Sequence, residues 1–154
     1  MISFTDNGAA TVRPATPADL PSVEQLLTSS SLPVTGVKEC LRDFVVAEAE
    51  GQIVGVAGLE ICCDDALLRS VAVHPEWRSK GVGRAVVTRA IAEAESRGLR
   101  ALYLLTTTAE HYFPSFGFRK ITREDVPADV SATEEFTTAC PASATVMARS
   151  LARA

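Results

Sequence analysis

Hydrophobic positions fall in short runs broken by glycine, proline and small polar residues, with one long helical stripe among them. Residues 1 to 10 read as a frayed or short leading strand, and Thr11 to Ala15 as the first strand. Thr16-Pro17-Ala18-Asp19 then opens a helix. Threonine can cap it, proline is tolerated at the first helical position, and aspartate suits the positive end of the dipole. Leu20, Val23, Leu26 and Leu27 share one face of that helix. Ser29 to Gly36 is a loop by composition. Val37, Leu41 and Phe44 stand at helical spacing and predict a short second helix over 37–44.

Phe44 to Ala49 and Ile53 to Ile61 predict a hairpin turning at Glu50-Gly51-Gln52. Gly55 and Gly58 inside the second run predict a bulge or a close backbone approach. Cys62 to Asp65 turns the chain, and Leu67 to Val73 is apolar enough for a central fourth strand. Val82, Val86, Ala90, Ile91 and Ala94 form a stripe that predicts a helix over 82–97, stopped by Gly98. Ala101 to Leu105 is the fifth strand. A strand, helix and strand in that order predict a right-handed crossover, with strands four and five parallel. Thr106-Thr107-Thr108 is expected to open a short helix running to Phe116 and stopped by Gly117. Phe118 begins a sixth strand, Ile121 to Glu135 is loop and short helix, and Ser143 to Leu151 is the last strand. The expected fold is α/β, a mixed central sheet with helices on both faces, in one domain over 1–154.

With 154 residues, 47% hydrophobic and 22% charged, the chain suits one globular domain with a real core. No apolar run approaches the ~20 residues of a membrane span. The start, Met1 to Ala10, lacks the basic and apolar regions of a signal peptide, so a cytoplasmic protein without a membrane partner is expected. A net charge of −4 argues against nucleic acid as a partner. Yet Trp77 to Arg100 holds six basic and two acidic residues, a local +4, which leaves −8 on the other 130. A cationic segment in an acidic chain suits a small anion. Cys40, Cys62, Cys63 and Cys140 form no Cys-x-x-Cys, and His74 and His111 do not cluster with them, so no metal site is expected. The cysteines read as small buried hydrophobes; a reactive or thiophilic Cys62-Cys63 pair is the alternative.

The stretch Arg78-Ser79-Lys80-Gly81-Val82-Gly83-Arg84 lies where the fourth strand and a His74-Pro75 break give way to the long helix. Two glycines there allow close approach and unusual φ values. The first helix amides have no partner within the helix and can donate to an anion, while Arg78, Lys80 and Arg84 add positive charge. The spacing is neither a Walker loop nor a dinucleotide fingerprint, which needs a third glycine where Val86 stands. A site for a pyrophosphate is expected, against the alternative of a Gly-rich helix start with solvated basic residues.

Arg-x-x-Gly-x-Gly over Arg78 to Gly83, behind an apolar strand ending Val-His-Pro, resembles the acetyl-CoA signature of the GCN5-related N-acetyltransferases (GNAT). The opening Arg-Pro-Ala-Thr-x-x-Asp, Arg13 to Asp19, is similar too, and the resemblance covers essentially the whole chain. It implies acetyl-CoA in a splay between strands four and five. The backbone of Val71, Ala72 and Val73 would hold the pantetheine arm and supply the oxyanion contact. Arg78 to Arg84 would hold the pyrophosphate. Thr106, Ala109, Phe113, Gly117 and Phe118 match the family's second cofactor motif, Asn-x-x-Ala-x-x-x-Tyr-x-x-x-Gly-Phe. Threonine replaces the asparagine, and phenylalanine replaces the tyrosine that often protonates the leaving thiolate. Tyr112 is one residue off, about 100° round a helix.

Leu104 to Thr108, Tyr112-Phe113, Phe116-Gly117-Phe118 and Val126-Pro127 resemble the amino-acid acetyltransferase branch, which includes N-acetylglutamate synthases. Leu67 to Val73, the threonine triplet and Cys140-Pro141-Ala142-Ser143-Ala144 resemble short acetyltransferases of arsenic-resistance operons. The implied reaction is acetyl transfer to the amine of a small, acidic amino acid or an arsenic or phosphorus analogue. Arg69, Ser70, Thr107 and Thr108 are the substrate-binding candidates, with Arg13 as a further cation. Strand alternation puts Arg69 and Ser70 on opposite faces. An amine needs a base or water relay. Glu60 is the preferred candidate, and His74, Glu110 and His111 are the others. Two other readings stay open: a CoA-binding sensor without turnover, and a cationic acceptor such as a protein lysine, a polyamine or an aminoglycoside. Family members often dimerise, so a homodimer is one option.

Overall fold

The computed structural model describes residues 10–139 and 143–151. Among the described residues there are seven strands: β1 (Thr11–Pro14), β2 (Phe44–Ala49), β3 (Gln52–Cys62), β4 (Asp65–Val73), β5 (Ala101–Thr106), β6 (Arg119–Ile121) and β7 (Thr145–Ser150). They hydrogen-bond in the order β1-β2-β3-β4-β5-β7-β6. The α-helices are α1 (Leu20–Ser29), α2 (Val37–Cys40), α3 (Val82–Ser96) and α4 (Ala128–Ser131). As the strand-helix-strand order predicts, β4 and β5 are parallel, pairing Asp65 with Ala101, Ala66 with Leu102 and Leu67 with Tyr103. The pairs β1–β2, β2–β3, β5–β7 and β6–β7 are antiparallel, so the sheet is mixed. The described residues fall in two compact units, one within Met1–Gly58 and Ser70–Ala90, the other within Leu59–Arg69 and Ile91–Ala154.

In the first unit, Val23, Leu26 and Leu27 of α1 bury against Val37, Leu41, Phe44, Val46 and Val56. A 3₁₀ turn, Pro17–Asp19, leads into α1. The Thr16 N–H and hydroxyl both donate to Asp19 Oδ2, at 2.8 and 3.1 Å, and the Asp19 N–H donates to the Thr16 carbonyl at 2.9 Å. The predicted second helix is shorter than its spacing suggested. It ends at Cys40, a 3₁₀ turn covers Leu41–Asp43, and Phe44 starts β2. The reason is pairing: Phe44 sits opposite Gly58 and is 1% exposed. A side chain at Gly58 would collide with the Phe44 ring, and one at Gly55 with Val82 Cγ1, so both glycines serve close approach. The hairpin turn places Glu50 at φ 54° and Gly51 at φ 77°, the left-handed pair that a tight two-residue turn needs.

In the second unit, Leu67, Val126, Val130, Phe136 and Val146 form the core, with Tyr103, Leu105 and Ile121 packed on it. The helix expected from Thr106 to Phe116 is not formed. Thr106 ends β5, and only a 3₁₀ turn, Phe113–Phe116, follows. Pro114 has no N–H for an α-helical bond to Glu110, and Gly117 at φ 89° closes the turn. Tyr112 therefore does not stand 100° round an α-helix. It precedes the 3₁₀ turn, 39% exposed, with its ring edge-on to Phe113 and Phe116. The sixth strand starts at Arg119, one residue after Phe118, and the last at Thr145.

The cysteines depart from the buried reading. Cys40 and Cys62 are half-buried, and Cys63 is exposed in the β3–β4 turn at φ 56°. A hydrogen bond with Asp129 and the nearby negative charge of Asp129, Asp64 and Asp65 push its thiol above its ordinary value, so Cys63 is less readily ionised than an ordinary exposed cysteine. Residues 1–9 and the Cys140-Pro141-Ala142 segment lie outside the described residues. Among the described residues no helix is long and apolar enough to cross a membrane.

Candidate functional site

The features expected to bind an anion lie together in the first unit. The His74 N–H donates to the Val54 carbonyl at 2.8 Å, which holds the exit of β4 against β3. His74 Nδ1 accepts the Glu76 N–H at 3.1 Å and caps the 3₁₀ turn Pro75–Trp77, so this histidine is a turn residue. Trp77 is 2% exposed and anchors the loop, with Lys80 Nζ 6.0 Å from its ring centre. The Arg78 Nε–H folds back onto the Val73 carbonyl at 3.3 Å. Ser79 at φ 66° and Gly81 at φ 84° fold the loop tightly; Gly83 needs no such conformation. The helix ladder opens with the Ala85 N–H on the Gly81 carbonyl at 3.0 Å. The Val82, Gly83 and Arg84 amides precede that bond and stand at the positive end of a 15-residue helix. Arg78, Lys80 and Arg84 are all exposed around them. This arrangement can hold a phosphate or pyrophosphate.

Strand β4 carries a kink that its sequence does not announce. Ser70 has φ 59°, a left-handed conformation that is costly for a serine inside a strand. The alternation expected to separate Arg69 from Ser70 breaks there: Ser70 and Val71 are both half-buried, and Ala72 is buried. A strand disrupted at this point exposes backbone N–H groups that a regular ladder would consume.

In the second unit, three charged side chains meet. The guanidinium of Arg69, its side chain 1% exposed, lies between two carboxylates. Its Nη1 reaches Glu60 Oε1 at 3.1 Å, and its Nη2 reaches Glu135 Oε1 at 3.3 Å. Glu60 is 23% exposed at its side chain and Glu135 only 8%. Glu135 begins a π-helical turn, Glu135–Ala139, a rare local structure found often at functional sites. Thr106, at the end of β5, accepts the N–H groups of Thr108 and Ala109 at 3.3 and 2.9 Å, while Thr107 and Thr108 are exposed. Phe113 is 6% exposed and packs on Tyr112, Phe116 and Phe118.

Other candidates are occupied elsewhere. Arg13 does not stand ready for a ligand: it grips Asp19 through Nη1 at 2.8 Å and Nη2 at 3.0 Å, and Glu48 through Nε at 2.8 Å. Glu110 pairs with Lys120 at 3.6 Å, and His111 is exposed. Glu135, which the structure brings to Arg69, is the candidate that sequence reasoning missed. No spacing links it to Glu60 or Arg69, and the adjacent Glu134 gives the sequence no reason to single it out. Among the described residues, no three His, Cys, Asp or Glu side chains converge as metal ligands.

A family model described as the acetyltransferase (GNAT) domain matches residues 41–120. The amino-acid acetyltransferase of Aeromonas salmonicida is 34% identical over 88 residues, covering 56% of this chain and 20% of that protein. The chain thus spans about a fifth of that relative's length. The crystal structure of Rv2747 from Mycobacterium tuberculosis, in complex with CoA and NLQ, aligns with a TM-score of 0.79 and 26% identity. The alignment covers 92% of this chain and 99% of that one. N-acetylglutamate synthase from Neisseria gonorrhoeae, complexed with coenzyme A and N-acetyl-glutamate, aligns with a TM-score of 0.80 over 94% of this chain and 35% of that one. At 20% identity this likeness is one of fold.

Proposed function

Because the chain belongs to the GNAT acetyltransferase family, we propose that it transfers the acetyl group of acetyl-CoA to the amine of a small amino acid. The observation that carries this reading is the loop Arg78 to Arg84. Two left-handed residues, Ser79 and Gly81, turn the chain into the start of α3 with basic side chains around the first amides of the helix. That geometry fits a pyrophosphate, and a chain-length structural likeness at 26% identity is to a protein crystallised with CoA. The backbone of Val71, Ala72 and Val73, just past the kink at Ser70, is the corresponding support for the pantetheine arm and the thioester oxygen.

The chemistry asks little more of the protein. The acceptor nitrogen attacks the thioester carbon, the C–N bond forms, and the C–S bond breaks. The thiolate leaves on CoA, and the nitrogen gives up a proton. Glu60, partly exposed, is the proposed base, acting directly or through a water. Phe113 cannot protonate the thiolate, so its departure depends on solvent or on the thiol's own acidity. An acidic amino acid is the proposed acceptor class. The 34% identity to an amino-acid acetyltransferase supports an amino acid as the acceptor, and the acidic kind is the finer step proposed here. Arsenic- and phosphorus-containing analogues belong to the same test set. Thr107 and Thr108, exposed past β5, and Ser70 supply hydroxyls for recognition.

Calorimetric titration of acetyl-CoA into the wild type and Gly81→Ala tests the cofactor half of the reading. Nothing lies within 4 Å of a methyl group at Gly81, so the substitution acts through its left-handed backbone alone. The expected result is saturable binding by the wild type and a Kd raised at least fivefold in the variant. An unchanged Kd would detach the loop from cofactor binding.

A further inference from the structure

We infer that Arg69 and Glu135 are positioning residues for Glu60, and that this trio meets the acceptor's amine and not its carboxylate. The inference rests on the transferase reading above and assigns the parts within it. Arg69 was the obvious receptor for an acidic acceptor, being a guanidinium near the kinked part of β4. Its surroundings argue otherwise. Separate nitrogens of one planar group already engage Glu60 and Glu135, so the guanidinium fixes the two carboxylates relative to each other. The formal charge of the trio is one plus and two minus, a net −1. A third carboxylate would have to reach a guanidinium whose side chain is 1% exposed, and it would add negative charge to a buried, already negative cluster. A protonated amine would bring the same cluster to neutrality.

The exposures give the direction of approach. Arg69 and Glu135 are sealed, at 1% and 8%, while Glu60 retains 23% of its side-chain surface. Glu60 Oε1 holds Arg69, and among the described residues Oε2 has no hydrogen-bond or ion-pair partner. The most exposed side chain of the trio is therefore the residue proposed as the base. Glu135 has a specific task. It shares the Arg69 charge, so that Glu60 is held by one hydrogen bond and is not clasped by both arms of the guanidinium. Removing Glu135 would let Arg69 take both oxygens of Glu60, in the bidentate grip that guanidinium and carboxylate prefer.

The test is steady-state thiol release by the full chain with saturating acetyl-CoA and L-glutamate as the first acceptor. The variants are Glu60→Gln, Glu135→Gln, Glu135→Asp and Arg69→Lys. Glu135→Gln and Arg69→Lys are expected to lower kcat at least tenfold while the KM for acetyl-CoA stays within twofold. Glu135→Asp keeps the charge and is expected to recover kcat to within about threefold of wild type, which a loss through misfolding would not show. Raised acceptor KM with unchanged kcat in Arg69→Lys would make Arg69 a carboxylate receptor and overturn the inference. A wild-type rate in Glu135→Gln, with Glu60→Gln inactive, would also overturn it while leaving the base assignment standing. A wild-type rate in Glu60→Gln would remove the base assignment and this inference together.

Discussion

Replacing Asp19 with asparagine removes a charge that several groups were folded to meet. The Asp19 carboxylate takes two hydrogen bonds from Arg13, at 2.8 and 3.0 Å, one from the Thr16 amide at 2.8 Å and one from the Thr16 hydroxyl at 3.1 Å. Its side chain is only 11% exposed. Arg13 first, and then Thr16, hold its carboxyl at a pKa of about 2, below the ordinary 3.8, against the opposing cost of burial. That depression, at about 1.36 kcal/mol for each pH unit, corresponds to about 2 kcal/mol of stability linked to the ionised form. Because the folded-state value is depressed, that contribution is complete above about pH 4 and is lost as the pH falls through about 2. Asparagine keeps some hydrogen bonds, so Asp19→Asn should cost about 2 kcal/mol at pH 7. For a chain of this length that lowers the Tm by about 4–8 °C. Urea unfolding of both proteins from pH 7 to pH 2 reads the effect, and the difference should shrink as the pH drops below 4. A difference under about 0.5 kcal/mol at pH 7, or one that persists unchanged to pH 2, would refute the reasoning.

Gly58→Ala should destabilise by about 1–3 kcal/mol, because its methyl group meets the Phe44 ring, and Phe44→Leu in the same chain should recover part of the loss in urea unfolding. Full stability in Gly58→Ala alone would contradict the close approach. Cys63 should alkylate with iodoacetamide more slowly than free cysteine at pH 8 and speed up in Asp129→Asn, because Asp129 is the main group holding its thiol up. Mass spectrometry of the Cys63 peptide measures this, and equal rates in the two proteins would count against it.

The parts of the fold that depend on local pattern were readable in the sequence. The stripe from Val82 to Ala94 defined α3 to within a residue, and the order around it made β4 and β5 parallel. Gly55 and Gly58 announced a close approach, although not that Val82 and Phe44 were its causes. Where two patterns competed, tertiary contacts decided. Phe44 fits a helical spacing with Val37 and Leu41, yet its pairing with Gly58 places it in β2. The stretch after Thr106 has a capping threonine and helical intervals, but Pro114 and Gly117 leave room only for a 3₁₀ turn. Of the site, the loop was legible because a helix start, two glycines and three cations are contiguous. The left-handed Ser70 and the Arg69–Glu135 contact were not. The first is a conformation that serine does not signal, and the second joins residues far apart in the chain. Arg13 looked available only because its partners, Asp19 and Glu48, become neighbours through the β1–β2 pairing and the turn before α1.

The most direct test of the account is thiol release from acetyl-CoA by the wild-type chain against glutamate, aspartate, phosphinothricin, arsinothricin, lysine and spermine. Stoichiometric appearance of the N-acetylated acceptor is followed in the same reactions. Turnover with the acidic amino acids or their analogues, and none with spermine, is the predicted result. Turnover confined to lysine and spermine would contradict the acceptor class, and tight acetyl-CoA binding with no thiol released by any acceptor would contradict the transferase reading itself.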